Sequence, residues 1–285
     1  MPALGVVFRP QVPPEQLRAA AEAADAAGLD ELWLWEDCFA EGGIATAAAA
    51  LAWTSRVRVC IGLLPVPLRN VALAAMEIAT LERLFPGRVE VGIGHGVQSW
   101  MGQAGARAQS PLTLLREYLV ALKALLAGEE VTTSGRYVNL DAVRLEWPPP
   151  AAPRLLAGAT GPKSMALAGE LAGGTILTGS TPVDGIRQAR AQLEAGGAKP
   201  DHHLVAYVWA ATGPRAAERL DADLRAWDLE PSPDLAVAGD ARAVAEAVRR
   251  SAAAGADSVV LQPTSDEPDL VAFMHFAGEQ VRPLL

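Results

Sequence analysis

Four short stretches of the sequence bring together residue types that do chemistry. Trp35-Glu36-Asp37-Cys38-Phe39 sets two adjacent carboxylates beside a thiol. A carboxylate there suits cofactor orientation or acid–base work, and a thiol needs an electropositive setting to react. An exposed acidic loop over a buried cysteine accounts for the same residues. Residues 62–70, GLLPVPLRN, place Pro65 and Pro67 one residue apart, which bends the chain, and Leu64 ahead of Pro65 is the candidate for a cis peptide. Such a bend supports a flat ring or simply ends a strand. Residues 92–101, GIGHGVQSWM, alternate glycines that let the backbone approach a ligand. His95 stands between them with an ordinary pKa suited to proton transfer or hydrogen bonding. Trp100 and Met101 either wall a pocket or pack in a core. Residues 158–164, GATGPKS, gather Gly158, Thr160, Gly161, Pro162, Lys163 and Ser164. Pro162 fits a first helical turn, so free amides, a helix dipole, a lysine and two hydroxyls converge where a phosphate can be held. The glycine spacing is not that of a Walker loop, and ordinary capping is the competing account.

The elements that must position these stretches alternate. Apolar runs at residues 4–8, 31–35, 57–63, 89–93, 154–157, 174–178, 204–211 and 258–261 read as strands. Helical patterns lie between them, opening at Pro14 and continuing at 45–53, 71–84, 112–126, after Pro162, 182–195, 215–227, 241–254 and 270–281. Eight βα units in 285 residues predict a closed (β/α)8 TIM barrel spanning 1–285 as a single domain. Two doubly wound halves split at Pro148-Pro149-Pro150 are the alternative, but neither half opens on a dinucleotide glycine fingerprint. The helix at 112–126 and a hairpin-like alternation over 131–145 read as an insertion between strands four and five. In such barrels, function sits in the loops after the strands, where all four stretches fall.

Composition narrows the partners. The net charge of -9 argues against nucleic acid and anionic membranes, so any anion must be held locally. Two cysteines, Cys38 and Cys60, form no disulfide framework, and no metal-ligand spacing joins them to the four histidines. The start of the chain shows no basic leader and no apolar run is long enough to span a bilayer, which predicts a cytoplasmic, metal-free protein.

The run from Pro65 to Gly105, PVPLRNVALAAMEIATLERLFPGRVEVGIGHGVQSWMGQAG, resembles the bacterial-luciferase-like barrel oxidoreductases, particularly their branch dependent on the deazaflavin coenzyme F420. The segments SPLTLLREYLVALKALLAGEEVTTSGRYVNL, GATGPKSMALAGELAGGTILTG and AGADSVVL extend the resemblance over nearly the whole chain. It implies an enzyme that moves a hydride between the deazaflavin and a small organic substrate, with the cofactor supplying the chemistry. By the same resemblance Leu64, Pro65 and Val66 match a bulge backing the ring, and His95, Gly96, Val97 and Gln98 match a cofactor-contacting loop. Gly161 to Ser164 match a phosphate-binding helix start, and Thr178 and Gly179 lie near the cofactor. Many relatives carry Asp-His where this chain has Asp37-Cys38, and the sugar-phosphate dehydrogenases carry glutamate where it has Val97. A sugar phosphate is therefore disfavoured as substrate, and Asp37 or His95 remain as proton carriers. The alternatives are an FMN-dependent monooxygenase and a barrel that binds a flavin-like ligand without turnover. The resemblance also implies a homodimer.

Overall fold

Strands that are apolar on both faces need cover on both, and this chain provides it by closing them into a ring. The computed structural model describes all 285 residues. Its strands are β1 (Ala3–Phe8), β2 (Glu31–Leu34), β3 (Arg58–Pro65), β4 (Val89–Gly94), β5 (Val131–Ser134), β6 (Asn139–Val143), β7 (Leu155–Gly158), β8 (Gly174–Ile176), β9 (His203–Ala211), β10 (Ala236–Ala238) and β11 (Ser258–Gln262). Eight of them pair in parallel in the order β1-β2-β3-β4-β7-β8-β9-β11, and β11 returns to β1. The result is the expected (β/α)8 barrel. Strand β10 only extends the upper end of β9, through Trp209 to Ala211.

Helices α1 (Leu17–Ala26), α2 (Gly43–Trp53), α3 (Val71–Leu84), α4 (Gln98–Gln103), α5 (Pro111–Leu126), α6 (Pro162–Leu171), α7 (Val183–Ala195), α8 (Ala216–Ala226), α9 (Ala241–Ala253) and α10 (Leu270–His275) surround the ring. The expected insertion is smaller than the sequence indicates. Helix α5 packs between α3 and α6 as the barrel's own fourth helix, so the additions are α4 and the antiparallel β5–β6 hairpin. No helix is long and apolar enough to cross a membrane.

Side chains alternate across the ring wall. Val59, Ile61, Val89, Val91, Ile93, Val259 and Leu261 point out into the main core beneath the helices. Val7, Trp33, Cys60, Leu156, Ile176, Val205, Tyr207 and Val260 point in and fill the barrel. At the closed end, Glu31 accepts hydrogen bonds from Trp33 Nε1 at 2.7 Å and Ser258 Oγ at 2.8 Å and pairs with Arg58. Arg154 holds Glu90 at 2.6 Å. Glu31, Glu90 and Cys60 approach one another closely enough to hold a metal. Each carboxylate there is already matched by an arginine, so the cluster reads as a paired network plugging the barrel's base.

The bend after the third strand is not where the prolines put it. Leu64 and Pro65 still pair with Ile93 and Gly94, and the register shift lies between Ile61 and Leu64. The cis peptide there is Gly62–Leu63, with a second at Cys38–Phe39. Pro65 stays in the strand because its missing N–H is tolerated at a strand end.

The last helix closes the ring against the first. Helix α10 passes into a π turn, Phe276–Val281, instead of continuing as one α-helix, and packs on α1. A Cβ on Gly278 would lie 2.4 Å from the Ala27 carbonyl oxygen, so only glycine fits. Gly278→Ala is expected to destabilise the fold by about 1–3 kcal/mol, as over-packing does, read as a lower urea midpoint at unchanged slope. An unchanged midpoint would show that the π turn shifts freely.

Candidate active site

The open end of the barrel holds a cavity of about 520 Å³. Its floor follows from the bulge. Gly62 and Leu63 both turn inward, and the Leu63 side chain lies where Gly94 and Gly158 present no Cβ; a Cβ there would come within 2.5 Å and 2.3 Å of it. Gly62 itself passes the Trp33 ring, which a Cβ would meet at 2.8 Å. Aromatic walls rise from this floor. Trp35 Nε1 donates to the Tyr207 hydroxyl at 3.2 Å, and their rings meet edge-on with centroids 5.6 Å apart. Trp209 Nε1 donates to the Gly179 carbonyl at 2.9 Å, and Trp227 packs edge-on against Trp209.

Half of the residues expected at the site are brought together here. Asp37, Pro65, His95, Gly96, Val97, Gly158, Thr178 and Gly179 line the cavity. Others stand elsewhere. Leu64 is 2% exposed and Val66 4% exposed, and both pack in the wall under the helices, because the bulge turns Leu63 rather than Leu64 inward. Gln98 serves the loop, its Nε2 donating to the His95 carbonyl at 3.3 Å. Trp100 lines the cavity, whereas Met101 is buried beneath Gly96. Cys38 lies off the cavity, and burial together with the charges of Glu36 and Asp37 pushes its thiol up. A thiol held protonated among carboxylates is a poor nucleophile.

The two neighbouring carboxylates have opposite fates. Glu36 is spent on structure: Arg69 binds both its oxygens at 2.7 and 3.0 Å, and the Gly43 N–H that opens α2 donates to it at 2.7 Å. Asp37 has no side-chain partner. Burial pushes its carboxyl up to about 6, against the pull of Arg9 and with a push from Glu41. Arg9 itself is 1% exposed, ion-paired with Asp223 and stacked 5.2 Å from the Trp209 ring centroid. Burial lowers His95, so the imidazole is neutral at ordinary pH, and its Nδ1 is buried without a partner.

The start of α6 adjoins the cavity through Thr160, which lines it. The Ser164 hydroxyl is used within the turn, accepting from Gly161 N at 3.1 Å and donating to Gly161 O at 2.9 Å. Gly161, Pro162, Lys163 and Ser164 do not line the cavity. The first-turn N–H groups of Lys163 and Ser164, the exposed Lys163 ammonium and the Thr160 hydroxyl remain for an anion.

Comparison with known proteins now bears on this geometry. The family profile described as luciferase-like monooxygenase matches residues 4–267. The chain belongs to the luciferase-like monooxygenase family. Among curated members, the 5,10-methylenetetrahydromethanopterin reductase of Methanolobus tindarius is 29% identical over 195 residues, 68% of this chain and 59% of that protein. The F420-dependent glucose-6-phosphate dehydrogenase of Kineococcus radiotolerans is 34% identical over 188 residues, 61% of this chain and 55% of the relative. The matches thus span little more than half the length of these luciferase-like relatives. An F420-dependent secondary alcohol dehydrogenase, solved in complex with an F420-acetone adduct, superposes with a TM-score of 0.89 at 20% identity, covering 100% of this chain and 99% of that one. At that identity the likeness speaks to the fold.

Several lining residues escape sequence reasoning: Tyr207, Trp209, Trp227, Leu229 and Gln262; Gly62 and Leu63 lie in the stretch it singles out without being distinguished from their neighbours. In β9, whose two faces are both buried, inward Tyr207 and Trp209 show no apolar–polar alternation to mark them.

The two carboxylates predict opposite substitution effects. Glu36→Gln breaks the paired fork and is expected to cost about 1–3 kcal/mol in urea unfolding. Asp37 keeps its proton to about pH 6 in the fold, whereas an unfolded aspartate releases it near about pH 4. Stability therefore falls as pH rises through that window. Asp37→Asn is expected to gain on the wild type between pH 4 and pH 8, and a constant difference in midpoint would contradict the buried placement of Asp37.

Proposed function

We propose that this chain is an F420-dependent oxidoreductase that transfers a hydride between the deazaflavin and a small organic substrate at the barrel mouth. The observation that carries this reading is a flat-walled cavity, bordered by the neutral His95 and the unpartnered Asp37, whose rim leads through Thr160 to the basic start of α6. The curated relatives named above, a reductase and an F420-dependent dehydrogenase, support it. The residues fit the cofactor in kind. Leu63 and Pro65 would back its ring, His95, Gly96 and Val97 would border it, and Thr178 and Gly179 would lie at its far edge. The Lys163 and Ser164 amides with the Lys163 ammonium would hold its phosphate. When bound, the deazaflavin supplies the two-electron centre that donates or accepts the hydride.

The protein's own part is to orient, exclude water and move one proton. Trp35, Tyr207, Trp209 and Trp227 keep the cavity apolar, which strengthens charge interactions inside it. Asp37 is the proton carrier: its carboxyl gives a proton to the substrate heteroatom during reduction, and its carboxylate takes that proton back during oxidation. Neutral His95 orients without changing charge. The lining contains no Lys or Arg, so it offers no counter-ion to a substrate phosphate. Two free cysteines fit a reducing, cytoplasmic setting. Two copies pair through the outer face of α3, where Leu73, Met76 and Leu84 are exposed; sedimentation at the mass of a single chain would refute that pairing.

Fluorescence titration with F420 and with FMN tests the cofactor. F420 is expected to bind more tightly, and Lys163→Ala to weaken it by about 1–3 kcal/mol without loss of stability. Tighter FMN binding with NADH-driven oxygen uptake would replace this reading by that of a monooxygenase. The pH profile tests Asp37. In the reducing direction kcat/KM is expected to fall as pH rises through about 6, and in the oxidising direction to rise through it, because the acid and base forms exchange roles. Asp37→Asn should lose that limb in both directions; a limb that survives assigns the proton to another group.

A further inference from the structure

A second cleft, of about 600 Å³, opens on the outer side of the barrel wall. Three stretches distant in sequence wall it: the turn at residues 66–71 between β3 and α3, the loop at 105–108 between α4 and α5, and residues 137–139 of the hairpin. Leu114 and Tyr118 of α5 complete it. Its lining is opposite in charge to the barrel mouth. The mouth holds Glu36 and Asp37 and no Lys or Arg, whereas this cleft holds Arg69 and Arg107 and no carboxylate. In a chain of net charge -9, a cavity lined by no carboxylate and holding the exposed Arg107 offers an anion a local cation.

Not all of its polar groups are spent within the fold. Arg69 is committed to Glu36 and Glu77. The Tyr137 hydroxyl accepts from the Ser110 N–H at 2.7 Å. Arg107, by contrast, stands exposed on its loop and joins none of the ion pairs of the fold. Tyr118 is 3% exposed, yet its hydroxyl makes no hydrogen bond and is not sealed in, so it reaches the open cleft. A hydroxyl at the cleft wall that is not used within the fold is free to donate to an acceptor in the cleft. Burial pushes the phenol up, so it remains a donor at any physiological pH.

We infer that this cleft is a second binding site, separate from the barrel mouth, for a small organic anion. Its carboxylate or phosphate pairs with the Arg107 guanidinium and accepts from the Tyr118 hydroxyl. Its apolar part rests on Val66, Leu68 and Leu114. Arginine suits this task because its planar fork binds two oxygens of either group at once.

Amide chemical-shift mapping on the full, isotope-labelled chain tests the site with benzoate, phenyl phosphate and neutral benzyl alcohol. The expected result is a saturable shift of residues 105–108 and 137–139 with one or both anions and little with the alcohol; which anion binds more tightly tells carboxylate from phosphate. Arg107→Glu should weaken that binding about tenfold or more, and Tyr118→Phe about threefold. Lys163→Ala should leave it unchanged while weakening F420, which keeps this site distinct from the cofactor's. Shifts confined to residues 161–164, equal response to the alcohol, indifference to Arg107→Glu, or no saturable shift would each overturn the inference.

Discussion

One side chain sets the shape of the barrel mouth. Leu63 is turned inward by the bulge in β3 and comes to rest over β4 and β7, which present Gly94 and Gly158 beneath it. The requirement is steric on both sides: a Cβ at either glycine would overlap Leu63, and a Leu63 pointing outward would leave a void in the ring. Gly92 meets the same restriction from Ile176, at 2.4 Å. A floor built in this way is apolar and fixed. The aromatic walls are fixed in turn by two indole hydrogen bonds, one to a phenol and one to a backbone carbonyl, so the cavity keeps its form without a ligand.

On that floor, burial decides what each charge does. Glu36 and Asp37 are neighbours with the same chemistry, yet one receives three charge-assisted or backbone donors and the other none. A carboxylate so satisfied holds Arg69 and the start of α2 in place. A carboxylate left without donors in an apolar cavity resists ionisation, and its pKa moves toward the range where proton transfer is efficient. The division of labour therefore comes from hydrogen-bond supply, since both carboxylates border the cavity.

Much of the architecture was legible in the sequence because it rests on local signals. All eight ring strands stand where apolar runs bounded by turn residues put them, and Pro162 opens α6 as its fixed φ favours. What escaped depends on pairing between distant segments. Proline announces a bend at Leu64-Pro65, and the resemblance puts the bulge at Leu64 to Val66, whereas the register between β3 and β4 decides it and moves the inward residue to Leu63. Trp227 and Leu229 reach the cavity only because the segment after α8 folds back over Trp209, which no local spacing encodes. At the start of α6 the sequence offers the residue types as donors, but Ser164 turns its hydroxyl onto its own turn. The remaining donors are fewer than the sequence suggests.

The distribution of charge follows from the same economy of donors. The cavity lining has no cation, and the positive groups near the mouth are already matched, Arg9 to Asp223 and Arg69 to Glu36 and Glu77. On the proposed reading, a ligand with a flat neutral ring and an anionic tail would divide itself, the ring in the aromatic cavity and the charge at the rim where α6 begins. Reversing that placement would bring an anion beside Asp37 in a low-dielectric pocket, where like charges repel most strongly. The sign of the lining thus selects an orientation before any specific contact forms, and a chain of net charge -9 binds an anion only where the local donors outweigh its overall field.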